Sequence, residues 1–265
     1  MTAQDLSKMG AAKVALFVDE HGRHVIEKYP VSEVEYAFYQ HAAHRLNAAK
    51  IASPGLLFAN PARHLLRLEY IPHPVSQDAV ASDEALAMLA RLHRVAPDAA
   101  WRYHPHSWSV SALEKSLALL ALPEQASQQL RCFQQSSEVL FRHSGLISGD
   151  SNAGNWGRRD NGELVLFDWE RFATGSPAID LAPLIKGMGV THAFQALAER
   201  YCHISGHATP RELSREIAIA KAWIVTEVVT LLAERQKTDL PRYLDWYREN
   251  LPGWLDSTIT LLSSW

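Results

Sequence analysis

A short β-hairpin is predicted inside an otherwise helical part of the chain, and this feature constrains the fold most. Residues 155–168 are NWGRRDNGELVLFD. The Asn161-Gly162 pair favours a two-residue turn, because both positions of such a turn need a positive φ angle. That turn would place Asn155 directly opposite Asp168, whereas a three-residue loop would shift the register. The pattern therefore predicts a carboxamide and a carboxylate side by side at the open end of the hairpin.

A second carboxylate lies on the loop that enters this hairpin. Asp150 stands five residues before Asn155 in the stretch GLISGDSNAGNW. Glu170 shares the face of Asp168 if the strand continues. Clustered oxygen ligands suit Mg²⁺, which completes its shell with water and phosphate oxygens, and a carboxylate that binds no metal can orient a hydroxyl group for attack. Taken singly, these side chains are compatible with turn and capping roles, but their combination favours phosphoryl transfer.

The first part of the chain has the pattern of strands around one helix. Two β-rich runs, 13–18 and 24–29, predict a hairpin. The segment 31–46 follows with apolar residues at helical spacing. Two further apolar runs, 55–60 and 64–71, predict a second pair of strands. These elements indicate a small sheet with one helix packed on it.

The rest of the chain is mostly helical in pattern. The segment 69–77 contains two prolines, which disfavour both helix and central strand, and we interpret it as the crossing between two lobes. Helices are predicted over 82–95, 123–143 and 211–236, the last being the longest. Only the segment around 144–170 breaks this pattern, with glycines and short strands.

Together these patterns predict an α+β fold of two lobes. We expect a small β-rich N-terminal lobe at 1–75 and a large α-helical C-terminal lobe at 76–265 that carries the short catalytic hairpin. The composition is that of a globular protein, with 47% hydrophobic and 21% charged residues and a net charge of -3. This charge argues against a nucleic-acid or anionic-membrane binder. With no apparent secretory signal or membrane span, we expect a cytoplasmic protein.

The motifs of the C-terminal half resemble those of the aminoglycoside phosphotransferase and choline kinase-like family of small-molecule kinases. SGDSNAGNW, followed by LVLFDWERFATGSPAIDLA, is similar to the family pattern of His-Gly-Asp, four residues and Asn, then a strand ending in Ile-Asp. The resemblance implies a protein-kinase-like fold and transfer of the γ-phosphate from ATP, with Mg²⁺, to a small-molecule hydroxyl. It implies that Asp150 is the catalytic base, that Asn155 and Asp168 bind Mg²⁺, and that Asp180 and Glu170 support them.

The resemblance extends to the N-terminal half. HVIEKYP is similar to the family strand whose lysine contacts the α- and β-phosphates, which implies that role for Lys28. EYAFYQHA is similar to the helix whose glutamate pairs with that lysine. This favours Glu35 as the partner, with Glu33 as the alternative.

The resemblance also marks an adenine site and two departures from the family pattern. EYIPHPVS implies that Glu69, Tyr70 and Ile71 present backbone groups to adenine. Ser148 stands where the family usually has a histidine, and a serine cannot make the same two-ended contact. No glycine-rich nucleotide loop is evident near the start, where Gly10 stands alone.

The acceptor is less constrained than the reaction. Trp223, Glu227, Trp246 and Glu249 are candidates to hold a cationic amine or choline-like group, although helix packing is the more common role of tryptophans at such spacing. An amino alcohol, an aminoglycoside and a sugar-like molecule all stay open as acceptors. The alternative function is a nucleotide-binding pseudokinase that presents a surface to a partner, and Ser148 and the short N-terminal loop motivate it.

Overall fold

The computed structural model describes residues 4–5, 12–206 and 209–262, so Gly10 lies outside the described residues. Strands and helices alternate at first, and helices dominate after residue 80. The strands are β1 (Gln4–Asp5), β2 (Lys13–Val18), β3 (His24–Tyr29), β4 (Leu56–Asn60), β5 (Leu65–Glu69), β6 (His73–Pro74), β7 (Leu146–Ile147), β8 (Trp156–Arg158), β9 (Leu164–Leu166) and β10 (Ala173–Thr174). The helices are α1 (Glu33–Ala37), α2 (Ala43–Ala48), α3 (Asp83–Arg94), α4 (Val110–Leu120), α5 (Glu124–Gln135), α6 (Glu138–Phe141), α7 (Pro177–Leu181), α8 (Thr191–Ser205), α9 (Pro210–Glu234) and α10 (Leu240–Thr258).

The N-terminal half forms an antiparallel sheet in the order β1-β2-β3-β5-β4. The predicted hairpin joins β2 and β3 around Gly22. The φ of Gly22 is 77°, a left-handed conformation that glycine adopts readily because it has no Cβ. Lys28 on β3 pairs with Val14 on one side and with Leu66 of β5 on the other. Lys28 therefore lies on a strand that is paired on both sides, which fixes its position.

The N-terminal helix packs its buried face toward the hairpin of the C-terminal half. Ser32 caps α1, and its hydroxyl accepts a hydrogen bond from the Glu35 backbone N–H at 3.1 Å. A π-helical turn over Phe38–Ala42 connects α1 to α2. Phe38 is 1% exposed and stacks on Trp169, with ring centroids 4.2 Å apart and planes at 10°. This aromatic pair joins the helix to the segment that directly follows Asp168.

The predicted hairpin is present, but its loop has three residues and not two. The Arg159 N–H donates to the Glu163 carbonyl at 3.0 Å, and the Gly162 N–H donates to the Arg159 carbonyl at 2.9 Å. Only Gly162 has a positive φ, at 84°, so the loop needs one left-handed residue where the two-residue turn needs two. The register prediction was wrong for this reason.

The corrected register moves Asn155 by one position along the hairpin. Trp156 pairs with Leu166, and the Phe167 N–H donates to the Asn155 carbonyl at 3.0 Å. Asn155 thus lies opposite Phe167, and Asp168 follows one residue later. Both side chains still lie at the open end of the hairpin.

The helical half matches the predicted pattern with two corrections. The helix expected over 123–143 is interrupted, because α5 ends at Gln135 and α6 begins at Glu138. The crossing segment contributes a two-residue strand, β6, which pairs with β8 at the hairpin edge, so its prolines are accommodated at an edge position. The lobe boundary at residue 75 stays a prediction. Within the described ranges, no helix is both long and apolar enough to cross a membrane.

Replacing Phe38 tests the aromatic contact between the two halves. We expect Phe38→Ala to lower the free energy of unfolding by about 3–5 kcal/mol, because it leaves a cavity against Trp169. Phe58→Ala is the matched control, since Phe58 is 48% exposed on β4, and we expect it to cost less than about 1 kcal/mol. Urea unfolding of both variants measures the difference, and equal costs would contradict the interpretation.

Candidate active site

The ammonium group of Lys28 lies between two carboxylates from different parts of the chain. Lys28 Nζ is 2.8 and 2.7 Å from the two carboxylate oxygens of Glu35 and 2.7 Å from Asp168 Oδ1. Burial opposes the charge on Lys28, but the Glu35 and Asp168 carboxylates outweigh it and raise its pKa above the ordinary value. Glu33, the alternative partner, faces outward and lies 3.6 Å from Arg102. The lysine therefore pairs with Glu35.

Asp168 reaches this lysine through an unusual backbone conformation. Its φ of 64° and ψ of 67° lie in the left-handed region, which aspartate tolerates better than most residues. A 3₁₀ turn, Trp169–Arg171, follows directly, and the Trp169 indole N–H donates to the Leu166 carbonyl at 3.0 Å. Strained residues of this kind cluster at functional sites. Here the left-handed conformation of Asp168 turns the chain sharply after β9 and places the carboxylate beside Lys28.

The loop before the hairpin holds Asp150 and Asn155 together. The Asn155 carboxamide N–H donates to the Asp150 carbonyl at 2.9 Å, and the Asn152 carboxamide donates to Asp150 Oδ1 at 2.7 Å. Burial raises the pKa of Asp150, and the Asn152 hydrogen bond opposes that shift. Asn155 is buried, and within the described ranges no residue donates a hydrogen bond to its amide oxygen.

The Asp180 carboxylate binds the backbone at the start of this loop. It is fully buried, and its carboxylate accepts hydrogen bonds from the backbone N–H groups of Ser148 at 2.7 Å and Gly149 at 2.9 Å. The Ser148 hydroxyl donates to the same carboxylate at 2.8 Å. Charge-assisted hydrogen bonds of this type are stronger than neutral ones. Asp180 therefore fixes the backbone immediately before Asp150, which is the arrangement that a bracing role requires.

His93 completes this support, although no sequence motif pointed to it. Its Nε2 lies 3.2 Å from Asp180 Oδ2 and its Nδ1 lies 2.7 Å from the Tyr201 hydroxyl. The imidazole comes from α3, far from Ser148 in sequence. Its only signal was its place on the apolar face of a predicted helix, which a core histidine would share. The Ser148 hydroxyl and the His93 imidazole, which come from different elements, thus contact the same Asp180 carboxylate.

The donors at the hairpin end fit a divalent cation. Carboxylate oxygens of Glu35, Asp168 and Glu170 lie within 4.8 Å of one another. Burial and the neighbouring Asp168 charge raise the pKa of Glu170. Glu35 and Asp168 Oδ1 are bound to Lys28, which leaves the second carboxylate oxygen of Asp168, the amide oxygen of Asn155, and Glu170. Mg²⁺ prefers oxygen ligands of this kind and keeps several water molecules in its shell.

The predicted adenine segment is held by an arginine that the sequence analysis did not identify. Arg159, in the hairpin loop, donates to both carboxylate oxygens of Glu69 at 2.7 Å, and the Gly55 N–H donates to Glu69 at 2.9 Å. The Glu69 side chain is therefore engaged in structure. Among the residues that the structure describes, no backbone hydrogen bond outside the sheet ladders involves Tyr70 or Ile71. The backbone groups of these two residues that the sheet does not use are candidates to meet a ligand.

The candidate acceptor residues divide into two groups. Trp223 and Glu227 lie near the catalytic loop, where both contact Arg171. Trp246 is 41% exposed and lines a separate groove of about 590 Å³ with Ile185 and Val190. Glu249 is exposed on the same helix as Trp246. The structure brings only the first pair to the Asp150 loop.

Comparisons with known proteins agree with this geometry. Residues 10–215 match the model of the phosphotransferase enzyme family APH. A choline/ethanolamine kinase family protein from Mesorhizobium loti has a similar fold, with a TM-score of 0.67 at 14% identity over 99% of this chain and 92% of that one. The choline kinase LicA from Streptococcus pneumoniae gives 0.63 at 16% identity over 97% and 94%. A spectinomycin phosphotransferase in complex with ADP and spectinomycin gives 0.67 at 14% identity over 97% and 93%.

The family match covers most of the chain, so the protein belongs to the phosphotransferase enzyme family. The predicted resemblance, the protein-kinase-like fold and the assignment as a small-molecule kinase are confirmed. No curated protein sequence matches the chain significantly.

Replacing Asp180 tests its support of the loop. We expect Asp180→Asn to lower the free energy of unfolding by about 3 kcal/mol, because the amide NH₂ would face N–H donors that now meet a carboxylate oxygen. Asp160→Asn is the control, since the Asp160 side chain is 90% exposed and its ion pair is with the exposed His73. Chemical denaturation compares the two variants, and a neutral effect of Asp180→Asn would show that the carboxylate is not needed.

Proposed function

We propose that the protein transfers the γ-phosphate of ATP, in the presence of Mg²⁺, to a hydroxyl group of a small molecule. The observation that carries this proposal is the Lys28 ammonium shared between Glu35 and Asp168 at 2.7–2.8 Å, beside the loop of Asp150 and Asn155. Two proteins of similar fold, LicA and the spectinomycin phosphotransferase, have been solved with AMP and ADP, which supports a nucleotide ligand.

Catalysis in this reaction class is mainly positioning and charge stabilisation. Lys28 is held rigidly by Glu35 and offers its charge to the α- and β-phosphates. Asp168 and Asn155 would hold Mg²⁺, which supplies positive charge to the transferring phosphoryl group. Asp150 accepts a hydrogen bond from the acceptor hydroxyl and so orients it for attack. Asp180 keeps the Asp150 backbone in place while this happens.

The nucleotide base has a site in the segment between the lobes. Where the sheet does not use them, the backbone N–H groups of Tyr70 and Ile71 can donate hydrogen bonds to adenine and their carbonyl oxygens can accept hydrogen bonds from it. The Glu69 side chain has no direct role in this proposal, because Arg159 and Gly55 engage it. The Glu69–Arg159 ion pair instead attaches this segment to the catalytic hairpin.

The pseudokinase alternative receives no support from the site. Its motives were the serine in place of the family histidine and the short N-terminal loop, and Gly10 of that loop lies outside the described residues. The Ser148 hydroxyl donates to Asp180 at 2.8 Å, and His93 contacts the same carboxylate. The residues of the phosphoryl-transfer site are also all present.

An acceptor panel tests the proposed activity. Purified protein with Mg²⁺ and ATP is incubated with amino alcohols, aminoglycosides and sugars, and mass spectrometry detects an acceptor that gains one phosphate. We expect a phosphorylated acceptor with the wild type, and a loss of at least about 10²-fold in kcat with Asp150→Asn, because the hydroxyl is no longer oriented. Asp160→Asn is the control and keeps full activity. An Asp150→Asn variant as active as the wild type would contradict the role of Asp150.

The pH profile tests how the environment of Asp150 tunes its charge. Burial raises the Asp150 pKa, so the protonated, inactive form persists to a higher pH than for a free aspartate. Asn152→Ala removes a hydrogen bond that stabilises the carboxylate, so the pKa rises further and the acid limb of kcat/KM moves to higher pH. The control Asn250→Ala, in the separate groove, leaves the limb in place. An unchanged limb in Asn152→Ala would show that Asp150 does not set it.

A further inference from the structure

The place between Trp223 and Glu227, where a cationic acceptor group was expected, holds a cation from the chain itself. The Arg171 guanidinium carbon lies 5.6 Å from the centroid of the Trp223 ring, and Arg171 Nη2 donates to Glu227 Oε2 at 2.8 Å. An aromatic face and a carboxylate are the two features that recognise ammonium ligands. The Arg171 guanidinium already contacts both the Trp223 face and the Glu227 carboxylate.

Arg171 is also attached directly to the catalytic loop. Its Nε donates to the Gly149 carbonyl at 3.3 Å, next to Asp150, and its own carbonyl lies 2.9 Å from His106 Nε2. The close fit at Gly149 supports this attachment, because a Cβ there would lie 2.2 Å from the Arg171 carbonyl oxygen. The guanidinium is therefore held at a fixed position beside the group that meets the acceptor hydroxyl.

One nitrogen of the guanidinium is left for a ligand. Nε and Nη2 are used by Gly149 and Glu227, and within the described ranges no residue accepts from Nη1. The Arg171 side chain is 20% exposed and that of Glu227 is 35% exposed, so the ion pair lies at the surface of the site. Nη1 can thus donate to an oxygen of a bound molecule.

The charges around Arg171 favour a neutral ligand. The guanidinium and the Glu227 carboxylate offset each other. Burial and the Arg171 charge lower the pKa of His104 to about 4 and of His106 to about 3, so both imidazoles are neutral at physiological pH. Nη1 is a hydrogen-bond donor, so an ammonium group offers it no acceptor, and an anionic group would lie near the carboxylates of Asp150 and Glu227. An uncharged oxygen has neither disadvantage.

We propose that Arg171 determines acceptor specificity: it occupies the cation position between Trp223 and Glu227, and it donates from Nη1 to an uncharged oxygen of a polyhydroxylated, sugar-like acceptor. This inference rests on the proposed kinase activity and narrows the three acceptor classes that the sequence left open. Cationic amino alcohols and amino sugars are disfavoured at this position.

A binding experiment tests the filled cation position without any turnover. Tetramethylammonium chloride is titrated into the wild type and Arg171→Ala by calorimetry. We expect Arg171→Ala to bind the ion at least about tenfold more tightly than the wild type, because the Trp223 face and Glu227 become free. Adding Glu227→Gln to Arg171→Ala removes the gain. Arg142→Ala, which removes a surface arginine exposed at 72%, is the matched control and gains nothing.

Three outcomes overturn the inference: equal tetramethylammonium affinity in the wild type and Arg171→Ala, a gain that survives Glu227→Gln, or an equal gain in Arg142→Ala. Circular dichroism establishes that each variant is folded. If Arg171→Ala does not fold, Arg171→Gln, which keeps the side-chain stem but removes the charge, takes its place in the same titration with the same expected gain.

A paired acceptor panel tests the positive part of the inference. Each neutral sugar or sugar alcohol is compared with its amino counterpart, such as glucose with glucosamine. We expect kcat/KM of the wild type to favour the neutral member at least about tenfold, and Arg171→Ala to reduce or reverse that ratio. A wild type that prefers the amino members overturns the inference. If no acceptor is phosphorylated, the proposed kinase activity fails, while the tetramethylammonium titration still decides the role of Arg171.

Discussion

One ammonium group shared by two carboxylates sets the geometry of this protein. Lys28 lies on a strand of the N-terminal sheet, Glu35 on the helix packed against it, and Asp168 at the end of the hairpin in the helical half. Burying a lysine costs several kcal/mol unless partners offset the loss of hydration. Glu35 and Asp168 offset it here only if the helix and the hairpin both keep their positions. The charge of Lys28 therefore couples three elements that are distant in sequence.

The rest of the fold holds these three groups in register. The Phe38–Trp169 stack packs the helix against the residue after Asp168, and the Glu69–Arg159 ion pair joins the segment between the lobes to the hairpin loop. Asp180 binds the backbone before Asp150. A site that acts by positioning needs this redundancy, because small displacements of the reacting groups cost large factors in rate.

Sequence reasoning predicted the parts of this arrangement that depend on local spacing. The Asp150-to-Asn155 interval, the helix that follows the first hairpin and the catalytic hairpin all follow from neighbouring residues. The hairpin register could not be predicted, because one positive φ at Gly162 decides between two loop lengths that share the Asn-Gly signal. His93 and Arg171 were missed for another reason. Each acts through contacts made only in the folded chain, and neither stands in a pattern that distinguishes it from a core or surface residue.

The dependence of ATP binding on Mg²⁺ tests the central claim most directly. The claim is that Lys28 and Asp168 form one site for the nucleotide phosphates and their cation. Calorimetric titration of ATP with and without Mg²⁺ should show at least about tenfold tighter binding with the metal in the wild type, and no such gain in Asp168→Asn, in which one charged oxygen ligand is lost. Equal enhancement by Mg²⁺ in both proteins would contradict the account.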